Sequence, residues 1–396
     1  MAAHETKQLI TGNQALRDLA DHLRAEGRFG FDTEFVAEES YEPILCLIQV
    51  ATASKLVVID ALAFSDLSPF WDAVLDPKLE VVVHAGGEDL RICKIKTGRL
   101  PERVFDVQLA AGFTGLSYPL SLTNLAREVL GVQLVGGESR TDWRKRPLSV
   151  AQMNYALEDV RHLLDLADAL RSKLERMGRL DWVIEETRAF LDDISQNQDA
   201  DDRWRRLPGL HQLNRRGLEI ARRLAEWRME DAQIQNKPLR FLMKDDLLVA
   251  IAKRQPKDKR DLEALRDFNK PYLLRRSGEI IAVVKEAMAV PEEVLPQHTE
   301  RPEDPPGASM VVTLLQVALS HCSNRHGISS NLLGTNADLR DLYRWVVEGK
   351  PQDRLPKMMR DWRAEVVGRS LVDVAEGKVA LRVTNPDSST PVELVE

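Results

Sequence analysis

The chain has 396 residues, 43% hydrophobic and 30% charged, with 19 prolines, the make-up of an ordinary globular protein too long for one hydrophobic core and expected to form two or three domains. The net charge of −7 comes with no apolar run that could cross a bilayer, VVTLLQVAL (311–319) being short and carrying Gln316, and MAAHETKQLI lacks the basic-then-apolar order of an export signal. Cys46, Cys93 and Cys322 are isolated thiols, which fits a reducing cytoplasm and argues against a disulfide scaffold.

Residues 1–200 alternate strand and helix signals, an α/β layer pattern. A helix is expected near 13–25. RFGFDTEF (28–35), ILCLIQVA (44–51), KLVVIDAL (55–62) and LEVVVHAG (79–86) are β-branched runs that read as strands. The second and third are joined by TAS, so part of the sheet is expected to be antiparallel. On the first strand Phe31, Thr33 and Phe35 share one face, and Asp32 and Glu34 share the other. That acidic face reads either as a solvated strand edge or as a pair of metal ligands. In HAGGEDL (84–90) a strand ends and a helix begins, with Asp89 and its neighbour Glu88 in the first turn. RVFD (103–106) reads as a short strand leading into a helix through Ala111. Further helices are expected near 121–130 and 149–177, the last capped by Ser149 after Pro147.

QNQDADD (196–202) is a polar linker. Beyond it the strand signals stop. Leu218, Ala221, Leu224 and Ala225 mark a helix face that ends near Asn236–Lys237–Pro238, and helices are expected at 245–254, 258–268 and 278–289. Charge is uneven along the chain: residues 1–200 hold 22 Lys+Arg against 32 Asp+Glu, whereas residues 203–290 hold 21 against 12, a balance of +9. The basic middle module either meets a polyanion or simply carries cations on its solvent face. Its Trp204, Phe241, Phe268 and Tyr272 are assigned to its core. VPEEVLPQHTERPEDPPGA (290–308), with five prolines, reads as an extended linker. Residues 308–380 are again helical and share a Trp-Arg pair with the preceding module (Trp227–Arg228 and Trp362–Arg363), as a divergent copy would. The tail beyond Asn385 is expected to fray. His321, Cys322 and His326 supply too few ligands for a structural zinc site.

Four carboxylates and a tyrosine thus fall in order on a strand, the same strand, a helix start and a helix: Asp32, Glu34, Asp89, then Tyr155 and Asp159 one turn apart in YALEDV (155–160). Each is weak evidence alone. Together they meet a chemical need, because in-line phosphodiester hydrolysis is served by two metal ions roughly 3.5–4 Å apart, and magnesium or manganese takes hard oxygen ligands. Asp32 and Glu34, spaced by roughly 6.6 Å along the strand, could both reach such a pair. Asp159 would close one metal from the helix side, Asp89 would hold the other, and Tyr155 would orient the attacking water.

FDTEF, HAGGEDL, the TDWRKRPLS loop and YALEDVRHLL resemble the three exonuclease motifs of the DEDD superfamily, tyrosine subtype, and the region from Trp204 to about Ala289 resembles an HRDC domain. An exonuclease core followed by one clear and one divergent HRDC-like domain is similar to the bacterial ribonuclease D family. The resemblance implies a ribonuclease-H-like exonuclease domain, a mixed sheet with flanking helices, over residues 1–200. It implies an HRDC domain over 203–290, a proline-rich linker over 291–307 and a second HRDC-like all-α domain over 308–396. It implies Asp32, Glu34, Asp89 and Asp159 as ligands of two divalent ions, Mg2+ or Mn2+, and Tyr155 as the water-orienting residue. The implied activity is 3′→5′ trimming of tRNA precursors and small structured RNAs at single-stranded 3′ ends, releasing nucleoside 5′-monophosphates, with no membrane and no obligate protein partner. His84 reads either as the cap of its strand or as a contact to substrate phosphate, and Arg144, Lys145 and Arg146 either as a solvated loop or, as the neighbouring motif favours, as cations beside the RNA backbone. In VGGESRTDW (135–143) Gly-Gly stands where a lysine is expected. The motifs serve a phosphodiester common to both polymers, so a DNA 3′→5′ exonuclease of proofreading or repair type is the alternative, and a non-catalytic RNA-binding scaffold a second.

Overall fold

The computed structural model describes residues 7–134, 141–196, 204–298, 302–385, 387–388 and 390–395. The glycine pair at 136–137 and the linker residues 197–202 lie outside them.

The N-terminal part is built on a six-stranded mixed sheet: β1 (Lys7–Ile10), β2 (Arg28–Val36), β3 (Ile44–Ala51), β4 (Leu56–Asp60), β5 (Glu80–Val83) and β6 (Val104–Asp106), in the order β1-β4-β3-β2-β5-β6. β2, β3 and β4 form the expected antiparallel run, and β1, β5 and β6 add in parallel. One face buries Phe29, Phe31, Ile48, Val57, Val81 and Val83 against α1 (Asn13–Glu26) and α2 (Ser68–Val74). Phe31 and Phe70 meet edge-on at 5.9 Å. The other face, with Leu47, Ala51, Val58 and Val82, is covered by a helical layer. That layer includes α4 (Val107–Gly112), α5 (Leu122–Leu130), α6 (Val150–Arg161) and α7 (Leu163–Arg176). α3 (Gly87–Thr97) follows β5, and α8 (Leu180–Gln196) packs against α3 and α4.

Several elements differ from the expectation. β1 and α2 are too short to carry a periodic signal, and α8 was missed although Leu180, Val183, Ile184, Thr187, Leu191 and Ile194 recur at helical spacing. The strand expected at 79–86 ends at Val83, because Ala85 adopts φ 54°. The helix expected over 149–177 is two: His162, at φ −107° and ψ 6°, breaks it, and α7 restarts at Leu163. The helix expected at 258–268 shortens to Lys259–Glu263.

The first helical module has its own core, in which Leu218, Leu224, Leu248, Ile251, Phe268 and Ile280 pack between the helices Arg215–Gln235, Asp245–Arg254 and Ser277–Ala289. It docks on the loop after β2: the side-chain Oδ1 of Asn236 accepts from the backbone N–H groups of Tyr41 and Glu42 at 3.1 and 3.4 Å. Much of its positive charge serves its own fold. Arg215 and Arg216 bond carbonyls near 287–295, Arg222 and Arg223 pair with Glu219, and Arg228 pairs with Asp245. Trp204 and Phe268 are core as expected, but Phe241 is half exposed. Phe241 lies in the short helix Leu239–Leu242, where Leu242 and the capping residue Met243 take the inward positions and Arg240 lies over the outward-facing ring.

The second module shares a core with the helical layer of the sheet domain. Trp362 stacks on Trp182 at 5.7 Å and meets Phe113 edge-on at 4.9 Å. Gly112 permits the contact, since a Cβ there would come within 2.5 Å of Leu332 Cδ1. The two Trp-Arg pairs are not equivalent, one lying in the first helix of its module and the other near the end. The 290–308 segment is less free than an extended linker: Leu295 is buried, and Asp304 pairs with Arg344 at 3.0 Å. Nor does the tail fray, because Ala380–Val383 and Val392–Val395 form an antiparallel hairpin.

Candidate active site

Asp32 and Glu34 project from the face of β2 that α6 covers. On that face Gly30 lets the helical layer come close, since a Cβ there would lie 3.0 Å from Leu163 Cβ. α6 is phased by a capping box, in which the Ser149 hydroxyl accepts from the Gln152 N–H and the Gln152 side chain accepts from the Ser149 N–H. Asp159, near the helix end, then meets the strand. One oxygen from each of Asp32, Glu34 and Asp159 lies within 4.8 Å of the others, the one such cluster among the described residues. Tyr155, a turn earlier, donates to Asp159, and its ring is backed by buried Trp143 at 6.1 Å.

Asp89 enters from the start of α3. The turn that delivers it is held by Asp106, a residue that sequence reasoning missed although its place between a strand and a helix is an N-cap signal. The buried Asp106 carboxylate accepts from Ala85 and Gly86 N–H, each at 3.1 Å, and from Gln108 and Leu109 N–H at 2.8 and 3.3 Å. Gly86 is required there, because a Cβ would sit 2.5 Å from Val83 Cγ2. The Thr33 hydroxyl, also missed, donates to Asp89 Oδ1 at 2.5 Å.

Burial raises all four acids above the usual carboxylate range, and repulsion from the rest of the cluster adds to it at Asp32 and Glu34. Asp32 is raised well above it by desolvation and then by Asp89, Asp159 and Glu34. Glu34 is pushed up to about 8 by burial and then by Asp159 and Asp89. Burial lifts Asp159 to about 7 against the hydrogen bond from Tyr155, and lifts Asp89 to about 6 against the hydrogen bond from Thr33. The Tyr155 phenol is raised by burial and by Asp159, so it stays a donor at neutral pH. A cluster of oxygen ligands that resists ionising is what a divalent cation relieves, and carboxylate oxygens fit a hard cation of the Mg2+ or Mn2+ kind.

The other sequence candidates, Lys145 excepted, bond to groups outside this cluster. His84 Nε2 bonds the Leu120 carbonyl at 2.9 Å. Arg146 grips both oxygens of Asp60 at 2.6 Å and the Cys46 carbonyl, so it ties the 141–149 loop to the sheet. Arg144 pairs with Glu39 at 2.6 Å and Asp142 at 2.9 Å, while Lys145 is exposed and forms no ion pair among the described residues. Glu88 pairs with Arg91. His321 bonds the Val392 carbonyl.

Residues 7–175 match the family model of the 3′-5′ exonuclease, residues 217–284 that of the HRDC domain, and residues 306–371 that of the ribonuclease D C-terminal HRDC domain. Ribonuclease D of Gluconacetobacter diazotrophicus is 34% identical over 95% of this chain and 94% of its own. That of Escherichia coli is 31% identical over 92% and 97%. The crystal structure of Escherichia coli RNase D, an exoribonuclease involved in structured RNA processing, matches with a TM-score of 0.82 at 30% identity, over 94% of this chain and 99% of that one. The catalytic core of RRP6 from Trypanosoma brucei, 22% identical with a TM-score of 0.56 over 72% of this chain and 80% of that one, shares the fold.

Proposed function

Since this chain belongs to the ribonuclease D family and is a 3′→5′ exoribonuclease, we propose that it trims the 3′ ends of tRNA precursors and other small structured RNAs by two-metal hydrolysis, releasing nucleoside 5′-monophosphates. The observation that carries the mechanism is the convergence of Asp32, Glu34 and Asp159 within 4.8 Å, in surroundings that disfavour their charge.

In this reading Asp32, Glu34, Asp89 and Asp159 hold two Mg2+ or Mn2+ ions. Bound there, the ions neutralise charge on the attacking and leaving oxygens of the phosphodiester. Tyr155 remains a neutral phenol and orients the water that attacks phosphorus, with Trp143 fixing its ring. Thr33 and Asp106 keep Asp89 in place, one through its carboxylate and the other through the backbone of its turn. Lys145 and the outward side of the first helical module, with Arg240 over the half-exposed Phe241 ring, are suited to RNA phosphates and bases. Among the described residues no helix is long and apolar enough to cross a membrane. The three free, buried thiols fit work in the cytoplasm.

The test is a tRNA-like RNA with a single-stranded 3′ extension, labelled at its 5′ end and incubated with the protein and Mg2+ or with chelator. A ladder shortening from the 3′ side only with metal supports the reading. An RNA that binds but stays whole, or a matched DNA degraded in preference, overturns it.

A further inference from the structure

The sheet face that carries Asp32 and Glu34 also carries Gln49. β3 lies antiparallel to β2 with Gln49 opposite Asp32 and Ala51 opposite Gly30. On its other side Gln49 faces Val58 of β4. Gln49 is 0% exposed, yet neither its Oε1 nor its Nε2 has a hydrogen-bond partner among the described residues. An amide so buried and so unsatisfied is a standing cost to the fold, and such groups are rare in native proteins.

Its surroundings narrow the possible partner. Leu47 and Ala51 flank it along β3, Val58 lies beside it, and Ala156, Leu157 and Val160 of α6 belong to the apolar cluster that covers this face. The polar neighbours by register are Asp32 of β2 directly across, its Cβ roughly 4.5–5.5 Å away, and two acids one diagonal step off, Glu34 of β2 and Asp60 of β4; Arg146 already holds both oxygens of Asp60, which leaves Asp32 as the near acceptor. A neutral amide is the chemistry that would orient a carboxylate without cancelling its charge. A lysine or arginine there would compete with a cation for Asp32, and an acid would add to the repulsion already present.

We propose that Gln49 is a positioning residue for the metal site, its amide N–H donating to the Asp32 carboxylate in the metal-bound state and selecting which carboxylate oxygen faces the cation. This rests on the metal reading above. It accounts for an unsatisfied amide in the core: the group is kept for the ionised, metal-loaded form of its neighbour.

The experiment compares the full wild-type chain with Gln49→Met, Gln49→Leu and Asp32→Asn, using calorimetric titration with Mn2+ and thermal melts with and without the ion. The expected result is that Gln49→Met and Gln49→Leu melt at or above the metal-free wild type while their Mn2+ dissociation constant rises about tenfold. A lower melting temperature with unchanged Mn2+ affinity overturns the proposal, since the amide would then have a purely structural role, as would unchanged affinity at any melting temperature. If the wild type itself takes up no Mn2+, the metal reading fails first. If the wild type binds, Asp32→Asn does not, and the Gln49 variants match the wild type, only the inference about Gln49 fails.

Discussion

Thr33 and Asp89 are joined by a 2.5 Å hydrogen bond from the hydroxyl to Oδ1, both residues buried. The bond ties the strand that bears Asp32 and Glu34 to the helix that bears Asp89, so one short contact sets the spacing of acids 55 or more positions apart in the sequence. Thr33→Val keeps the shape and removes the donor. It should cost about 1–3 kcal/mol, the usual penalty for a buried partner left unmade, and should lower turnover because Asp89 loses its anchor. Thr33→Ser should restore most of both. Urea unfolding alongside exonuclease rates checks this, and wild-type activity in Thr33→Val would remove the anchor from the mechanism.

Asp32→Asn, Glu34→Gln, Asp89→Asn and Asp159→Asn should each abolish turnover while leaving melting temperature in chelator unchanged or raised, because each relieves repulsion within the cluster. Tyr155→Phe should slow turnover roughly a hundredfold with little change in metal affinity. Parallel loss of stability and activity across the series would assign these residues to the fold alone.

The metal-free protein should lose stability as pH rises. Glu34, Asp159 and Asp89 have folded values of about 8, 7 and 6, all above the ordinary carboxylate values of the unfolded chain. A raised folded value gives stability that is complete below the unfolded pKa and is lost as pH climbs through the folded one. The window runs from the ordinary carboxylate range near pH 4 up to about 8. Melting temperatures across that window in chelator should fall, and Mn2+ should remove most of the fall. A flat profile in chelator would show that burial does not hold these acids in their neutral form.

Arg363 is buried and grips both oxygens of Glu186 at 2.7 Å, besides the carbonyls of Leu332 and Leu333. The pair fastens the last helical module to α8 across 177 positions of chain. Arg363→Ala leaves Glu186 without its partner and should cost about 3–5 kcal/mol. Because the module shares its core with the helical layer over the sheet, the loss should appear as a drop in the main unfolding transition, read by calorimetry. A separate early transition with the main one unmoved would show that the shared core is not cooperative.

The residues proposed for the chemistry were legible in the sequence because they sit on elements with strong local signals. Asp32 and Glu34 lie on a β-branched, aromatic run, Asp89 opens a helix after a glycine pair, and Tyr155 and Asp159 share one face of a helix that Ser149 caps. Period and capping are properties of neighbours in the chain, so they survive without a fold. The antiparallel pairing of β3 and β4 was legible for the same reason, a three-residue connection between two runs.

What only the tertiary structure decided is the pairing of side chains distant in sequence. Arg146 looked like a free cation for RNA, but Asp60, 86 positions away, holds it. Phe241 looked like core until Leu242 and Met243 took the inward positions beside it. Asp106 and Thr33 gain their roles from the turn and the helix start that β2, β5 and β6 bring alongside them. The register that sets Gln49 against Asp32 belongs to the sheet and to neither strand alone. Local sequence encodes which side chains share a face, and packing alone encodes what that face meets.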